Sequence, residues 1–279
     1  MRANDGVMPS VQEALATHIA NRANSGSAVP FLVGICGAQG SGKTTLSEQI
    51  RVLLQDDGLT VVVLSIDDLY FSREVRRELG ESVHPLLRTR GVPGTHDVEL
   101  GLAVVDALGV AGSVSIPAFD KACDDRVPST QWRQVDAPVD VLILEGWCVG
   151  AMPECESALL TPLNQWEREF DPHGIWRRFV NASLAGRYQS LYSRIDLLIL
   201  LKAPAFDVVF GWRLEQEKKL RETLAQQGRD ADHVMSDTEI LQFISHYERL
   251  TRHILEEMPS RADVLVTLDR ERRATIVRP

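Results

Sequence analysis

Five short apolar runs punctuate the chain: Phe31–Cys36, Val61–Ile66, Val141–Leu144, Leu197–Leu201 and Val264–Leu268. They are mostly continuous rather than alternating and rich in Val, Ile and Leu, as in strands buried on both faces of a parallel sheet. Helical spacing fills several intervals between them. Ser236 and Glu239 form an S-x-x-E capping box, in which each side chain satisfies the other's free backbone N–H. Ile240, Ile244, Tyr247, Thr251 and Ile254 then follow three or four apart, predicting one helix that Pro259 ends. From Trp212 to Gln227, the pairs Arg213–Glu217, Glu215–Lys219 and Glu217–Arg221 stand four apart on one helix surface. Val11–Ala20 predicts a peripheral helix, followed by a flexible step at Asn24–Ser27. Strands alternating with helices predict an α/β fold with a parallel sheet.

No repeat or low-complexity tract interrupts this pattern, and one domain over residues 1–279 is expected. Residues 1–27 read as a peripheral helix and linker. The long intervals 81–138 and 150–193 read as insertions without a strand series of their own, forming the acceptor site and lid-side elements. The aromatic-bearing stretch Trp166–Tyr192 is compatible with core, lid or dimer contact, and the oligomeric state is left open.

With 44% hydrophobic and 25% charged residues among 279, the composition is that of a globular protein and excludes collagen-like, disulfide-scaffold and disordered chains. The formal net charge of -9 argues against a nucleic-acid partner but leaves anionic small molecules open, since binding follows local charge. Cys36, Cys123, Cys148 and Cys155 contain no CxxC pair and read as small buried hydrophobes in a reducing compartment. The N-terminus has no basic-then-apolar leader, and no apolar stretch approaches the roughly 18 residues of a membrane helix. No membrane partner and a cytoplasmic location are expected.

The strongest chemical signal is Gly37-Ala38-Gln39-Gly40-Ser41-Gly42-Lys43-Thr44, a complete G-x-x-x-x-G-K-[ST]. An apolar strand enters it and a helix-forming segment, Thr45–Leu54, leaves it, which is the setting that gives the motif its meaning. The glycines let backbone N–H groups, with that of Thr45 beyond them, converge on phosphates at a positive helix end. Lys43 reaches the β- and γ-phosphates and the Thr44 hydroxyl ligates Mg²⁺. ATP and Mg²⁺ are the expected cofactors.

The chain has no N-K-x-D base-reading motif of a GTPase and no L-S-G-G-Q-like transporter signature. A small-molecule kinase or a nucleotide-gated regulatory module remains. The second apolar run ends Ser65-Ile66-Asp67-Asp68-Leu69-Tyr70. Ligands of open α/β sheets sit beyond the carboxyl ends of the strands. One of the two carboxylates there is placed to accept the proton of an attacking hydroxyl, while Mg²⁺ and Lys43 hold the transferring phosphoryl group. The third run ends Leu144-Glu145-Gly146-Trp147, and Glu145 fits the magnesium side, because a carboxylate closing a buried strand without a partner is costly.

These elements resemble the phosphoribulokinase, uridine kinase and pantothenate kinase superfamily, and most closely its D-glycerate 3-kinase branch. The resemblance rests on the phosphate loop, Ser65–Tyr70, Arg90-Gly91-Val92-Pro93-Gly94-Thr95-His96-Asp97, Pro117–Arg126, Glu145-Gly146-Trp147 and Trp212–Glu217. It implies a P-loop fold with a mostly parallel sheet and a helical lid, and ATP-dependent phosphorylation of a small organic acid, D-glycerate to 3-phosphoglycerate. Asp67 matches the general base, Glu145 the carboxylate near the metal, and Arg213 a lid helix arginine facing transition-state charge. Arg90, His96 and Asp97 would form the acceptor-side wall with Asp68, Tyr70, Lys121 and Arg126, an arginine offering the fork that a carboxylate needs. Leu69, Phe119 and Ala122 depart from the family pattern, which has Phe, Tyr and Ser there, so two hydroxyls near the acceptor are missing. A nucleoside, pantothenate-like or sugar acceptor, and a binding module without phosphorylation, are the rival readings.

Overall fold

The computed structural model describes residues 9–26, 28–226 and 237–278. Helix α1 (Val11–Ser25) leads into β1 (Phe31–Gly37), α2 (Lys43–Asp56) and β2 (Val61–Ser65). Helices α3 (Arg73–Ser82) and α4 (Val98–Leu108) precede four short strands, β3 (Gly112–Ile116), β4 (Phe119–Asp120), β5 (Asp125–Arg126) and β6 (Arg133–Ala137). After β7 (Val141–Gly146) come α5 (Gln165–Phe170), α6 (Ile175–Ser183), α7 (Gln189–Tyr192) and β8 (Leu197–Lys202). Helices α8 (Asp207–Gln226), α9 (Asp237–Ser245) and α10 (Glu248–Glu257) lead to β9 (Val264–Leu268) and β10 (Ala274–Arg278).

The five apolar runs all lie in one six-stranded sheet of order β10-β9-β8-β1-β7-β2, parallel except for β10. Every residue of β1 and β7 is buried, which is why their sequences run apolar without alternation. Odd and even positions feed opposite faces. Val33, Ile35, Ile143 and Ile199 pack with α1 and α2, whereas Leu32, Leu142, Leu144 and Leu198 join the larger cluster under α4, α6 and α10. The register sets Glu145 beside Ser65 on one side and Ile35 on the other. The phosphate loop, the Asp67 turn and Glu145 therefore share one rim of the sheet.

Several expectations need correction. Helix α1 runs to Ser25, through the first half of the expected flexible step, with a capping box between Ser10 and Glu13 and with Leu15, Ala16 and Ile19 buried against the sheet cluster. The interval 81–138 does carry strands, β3 pairing antiparallel with β6 and β4 with β5. Their residues are half exposed, so they lack the apolar signature of the main sheet. The edge strand β10 escaped for the same reason. Cys36 and Cys148 are buried as expected, but Cys123 and Cys155 are exposed.

The single helix expected after residue 239 is two helices, broken at His246–Tyr247. The break serves two cores: Ile240 and Ile244 pack on Ala38 of the phosphate loop with Phe206 and Val209, while Leu250 and Ile254 belong to the main cluster. Ser236, half of the expected capping box, lies outside the described residues, as does Gln227. Helix α8 carries the Arg213–Glu217 and Glu215–Lys219 pairs as predicted. Among the described residues, no helix is long and apolar enough to cross a membrane.

Candidate active site

The loop between β1 and α2 closes with a hydrogen bond from Ser41 N–H to the Ala38 carbonyl, 3.1 Å. Gly40 and Gly42 sit at φ +78° and +87°, conformations that side chains other than glycine's rarely adopt. Gly42 caps α2 with no side-chain hydrogen bond, so the first N–H groups of the helix keep their donors for a ligand. Gln39 Oε1 and Ser41 Oγ are buried there without a hydrogen-bond partner. Thr44 Oγ1 donates to Glu145 Oε1 at 3.1 Å, and Glu145, 2% exposed, has its second oxygen buried and unpartnered. A buried carboxylate oxygen with no donor is costly unless a cation completes it. The pair fits a hard cation such as Mg²⁺, which takes one or two protein oxygens and fills its remaining positions with water and phosphate.

Asp67 and Asp68 lie in a short 3-10 turn, Ile66–Leu69, whose first residues are held by Ser65 Oγ accepting from Asp67 N–H at 3.3 Å. Asp67 Oδ1 accepts from the Tyr70 hydroxyl at 2.8 Å and Oδ2 from Lys121 Nζ at 2.6 Å. Burial pushes the Asp67 carboxyl up, but the Lys121 ammonium, by charge and hydrogen bond, with Lys43 and Tyr70, brings it down to about 2. Its neighbour behaves oppositely. Burial, reinforced by the charge of Asp67, pushes Asp68 up to about 6, although its Oδ1 accepts from Phe119 N–H at 3.2 Å.

These groups face a cavity of about 850 Å³. Its lining includes Gln39, Gly40, Lys43, Thr44 and Glu145 from the phosphate-loop rim, Asp67, Asp68 and Tyr70 from the turn after β2, and the cations Arg88, Arg90 and Lys121. Arg213 lines it from α8, its guanidinium paired with Glu217, hydrogen-bonded to Gln216 at 3.2 Å and set over the Phe243 ring at 5.3 Å. Arg90 pairs with Asp124 and lies over the Phe119 ring at 5.4 Å. The missing Phe119 hydroxyl thus leaves a bare ring, packed edge-on against Tyr70 at 5.3 Å. Thr45 lies outside this cavity, in a separate groove with Gln12 and Glu48.

Three predicted wall residues stand behind the wall instead. His96 is buried and stacks flat on Tyr70 with ring centroids 4.5 Å apart, and its Nδ1 meets the Tyr188 hydroxyl at 2.6 Å. Burial pushes its imidazole down to about 4. Asp97 caps α4, accepting from Leu100 N–H at 3.0 Å, and pairs with Arg126 at 3.2 Å. Arg126 also donates to the Tyr70 carbonyl at 3.0 Å. The physical reason is that residues 95–97 run alongside the Asp67 turn, with Phe71 N–H on the Thr95 carbonyl and Asp97 N–H on that of Leu69. His96 and Arg126 hold Tyr70, Asp97 holds Arg126, and none of the three is among the residues lining the cavity.

Arg88, Asp124, Phe243 and Tyr247 line the cavity without having been singled out from sequence. The conspicuous glycine of the Arg90–Asp97 motif was a usable signal for Tyr247. A Cβ on Gly91, at φ +138°, would lie 2.0 Å from the Tyr247 hydroxyl, so the glycine makes room for that ring. Trp147 fills the same corner, donating from Nε1 to the Gly91 carbonyl at 2.8 Å and meeting Tyr247 edge-on at 4.9 Å.

Residues 32–152 match the phosphoribulokinase / uridine kinase family. The chain is also 35% identical over 230 residues to "Uncharacterized kinase mug58" of Schizosaccharomyces pombe, spanning 78% of each chain. The chain belongs to the phosphoribulokinase / uridine kinase family. Within it, the chain is 27% identical over 246 residues to the chloroplastic D-glycerate 3-kinase of Arabidopsis thaliana, covering 85% of this chain but 50% of that one. The solved structure of the YGR205w protein superposes with a TM-score of 0.74 at 26% identity, over 96% of this chain and 97% of that one. The fold is accordingly that of the P-loop kinases, an ATP-using family, with a small molecule as the acceptor class.

Proposed function

We propose that the protein transfers the γ-phosphoryl group of ATP to a hydroxyl of D-glycerate, giving 3-phosphoglycerate. The observation that carries this reading is that one cavity is lined by the phosphate loop and Glu145, by Asp67, and by the cations Arg88, Arg90 and Lys121, with Lys121 on Asp67 and Arg90 on the Lys121 carbonyl. A small acid laid along it meets the base with its hydroxyl and the cations with its carboxylate. The D-glycerate 3-kinase relative supports that choice of acid.

In this reading Lys43 and the loop N–H groups hold the β- and γ-phosphates, and Thr44 and Glu145 hold Mg²⁺, which when bound neutralises phosphate charge. Asp67 accepts the acceptor's hydroxyl proton, and Tyr70, propped by His96 and Arg126, orients Asp67. Arg213 exchanges Glu217 for the phosphates when α8 and α9 bear on the bound nucleotide. The chain acts as one kinase domain, residues 81–138 supplying the acceptor wall.

The test is ADP release with Mg-ATP over a panel of D-glycerate, L-glycerate, uridine, pantothenate and simple sugars. Turnover strictly dependent on D-glycerate is expected. Turnover with another member replaces the acceptor and keeps the chemistry. Tight ATP binding with no acceptor-dependent turnover removes the kinase reading for this panel.

A further inference from the structure

Two adjacent carboxylates tether one hairpin over the cavity. Asp68 holds its first strand through Phe119 N–H, and Asp67 holds its tip through Lys121 Nζ at 2.6 Å. The tip is itself ordered, because Asp120 Oδ1 accepts from Ala122 N–H at 2.8 Å and from Cys123 N–H at 3.3 Å. Lys121 reaches Asp67 from the outside, its side chain 60% exposed against 29% for Asp67. With Tyr70 on Oδ1 and Lys121 on Oδ2, both oxygens of Asp67 are engaged before any acceptor arrives. Arg90, by contrast, is held on two sides, paired with Asp124 and stacked on Phe119. Lysine suits an exchange, as a single charge on a flexible four-carbon stem.

We infer that Lys121 guards Asp67 against water and leaves it only for the carboxylate of an acidic acceptor, so that the acceptor's charge, not the nucleotide, unmasks the base. The acidic acceptor rests on the function proposed above; the guarding of Asp67 does not. When the acceptor's carboxylate draws Lys121 away, Asp67 Oδ2 is free to take the hydroxyl proton. The acceptor O–H bond then breaks toward Asp67 as its oxygen bonds to the γ-phosphorus. The bridging P–O bond breaks with its electron pair to the β-phosphate of ADP. Water at the same place would hydrolyse ATP by the same proton path, and the resting pair prevents it. Lys43, Tyr70, Asp68, His96 and Tyr247 are other titratable groups that feel the charge of Asp67.

The experiment measures ADP release from Mg-ATP with no acceptor. Lys121→Met and Lys121→Gln should each raise hydrolysis about fivefold, the equivalent of a half-exposed ion pair worth about 1 kcal/mol. Lys121→Arg, which keeps a cation beside Asp67, should raise hydrolysis less than either charge-removing variant. Adding Asp67→Asn to Lys121→Met should abolish the rise. Unchanged hydrolysis in both charge-removing variants, or a rise that survives Asp67→Asn, overturns the guard. A second arm compares D-glycerate with glycerol: Lys121→Met should raise the D-glycerate KM and raise the glycerol kcat. An unchanged glycerol kcat overturns the exchange. If D-glycerate proves not to be a substrate while acceptor-free hydrolysis still rises, the acceptor assignment falls and the guard stands.

Discussion

Thr44 Oγ1 donates to one oxygen of Glu145 at 3.1 Å, while the other oxygen of the same carboxylate is buried without a partner. The sheet register puts this half-satisfied group one strand away from both the phosphate loop and the Asp67 turn. Such a group is costly in the empty protein and valuable once a cation sits on it. Glu145→Gln should therefore split stability from function. The Mg²⁺ concentration for half-maximal activity should rise about 10–100-fold, while the melting temperature at pH 7 should not fall. A magnesium titration of activity and a thermal melt check the two halves separately, and an unchanged magnesium requirement would remove Glu145 from the metal.

Asp67→Asn keeps the shape of the turn and removes the proton acceptor. We expect kcat to fall by about 10²–10⁴ with the KM for ATP little changed, measured by steady-state ADP release. Because Lys121, Lys43 and Tyr70 hold this carboxyl near 2 in the free enzyme, Asp67 should contribute no falling limb to kcat/KM between pH 5 and 8. A loss confined to Asp68→Asn would give the role to the neighbouring carboxylate.

Asp68 supplies a prediction about stability instead. Its folded-state carboxyl is raised to about 6, above its value in an unfolded chain, so the folded protein binds that proton more tightly. The contribution is full below about pH 4 and is lost as pH rises through 6. Asp68→Asn removes the buried charge and should raise the melting temperature at pH 7.5, with the gain disappearing at pH 4. Melts of both proteins at the two pH values decide it; a gain independent of pH would show that desolvation of Asp68 is not the cause.

Arg90→Ala should raise the acceptor KM far more than the ATP KM, since its guanidinium contacts Asp124, Phe119 and the Lys121 carbonyl rather than the phosphate loop. It also removes one of the two arginines paired with Asp124, so Arg90→Lys, which keeps the charge but not the planar fork, separates charge from geometry. Initial rates with each substrate varied in turn give the comparison. Equal effects on the two KM values would move Arg90 out of the acceptor subsite.

The phosphate loop and the central strands were legible because each obeys a local rule: converging backbone in one case, continuous apolar burial in the other. Glu145, Asp67 and Lys121 were legible as polar residues at strand ends or in a selective motif, and the fold gathers all three at one cavity. What escaped has a common cause. Asp97 reads identically whether it contacts a ligand or caps α4, and only the path of residues 95–97 beside the Asp67 turn distinguishes the two. Asp124, at φ +53°, meets Arg90 and Arg76 from a turn 34 residues on from Arg90, a pairing that no spacing along the chain announces. The break at His246–Tyr247 interrupts a periodicity that the sequence continues unbroken, because two cores, not one, claim its apolar residues.

That break has a mechanical consequence. Tyr247 sits at the joint between α9 and α10, with its hydroxyl on the Arg90 carbonyl at 3.4 Å and its ring against Trp147. Helix α9 in turn rests on Ala38 of the phosphate loop through Ile240 and Ile244. One joint thus bears on both the phosphate loop and the Arg90 backbone. A displacement of α9 would therefore be felt at the phosphate loop and at Arg90 together, two walls of the cavity that stand far apart in the chain.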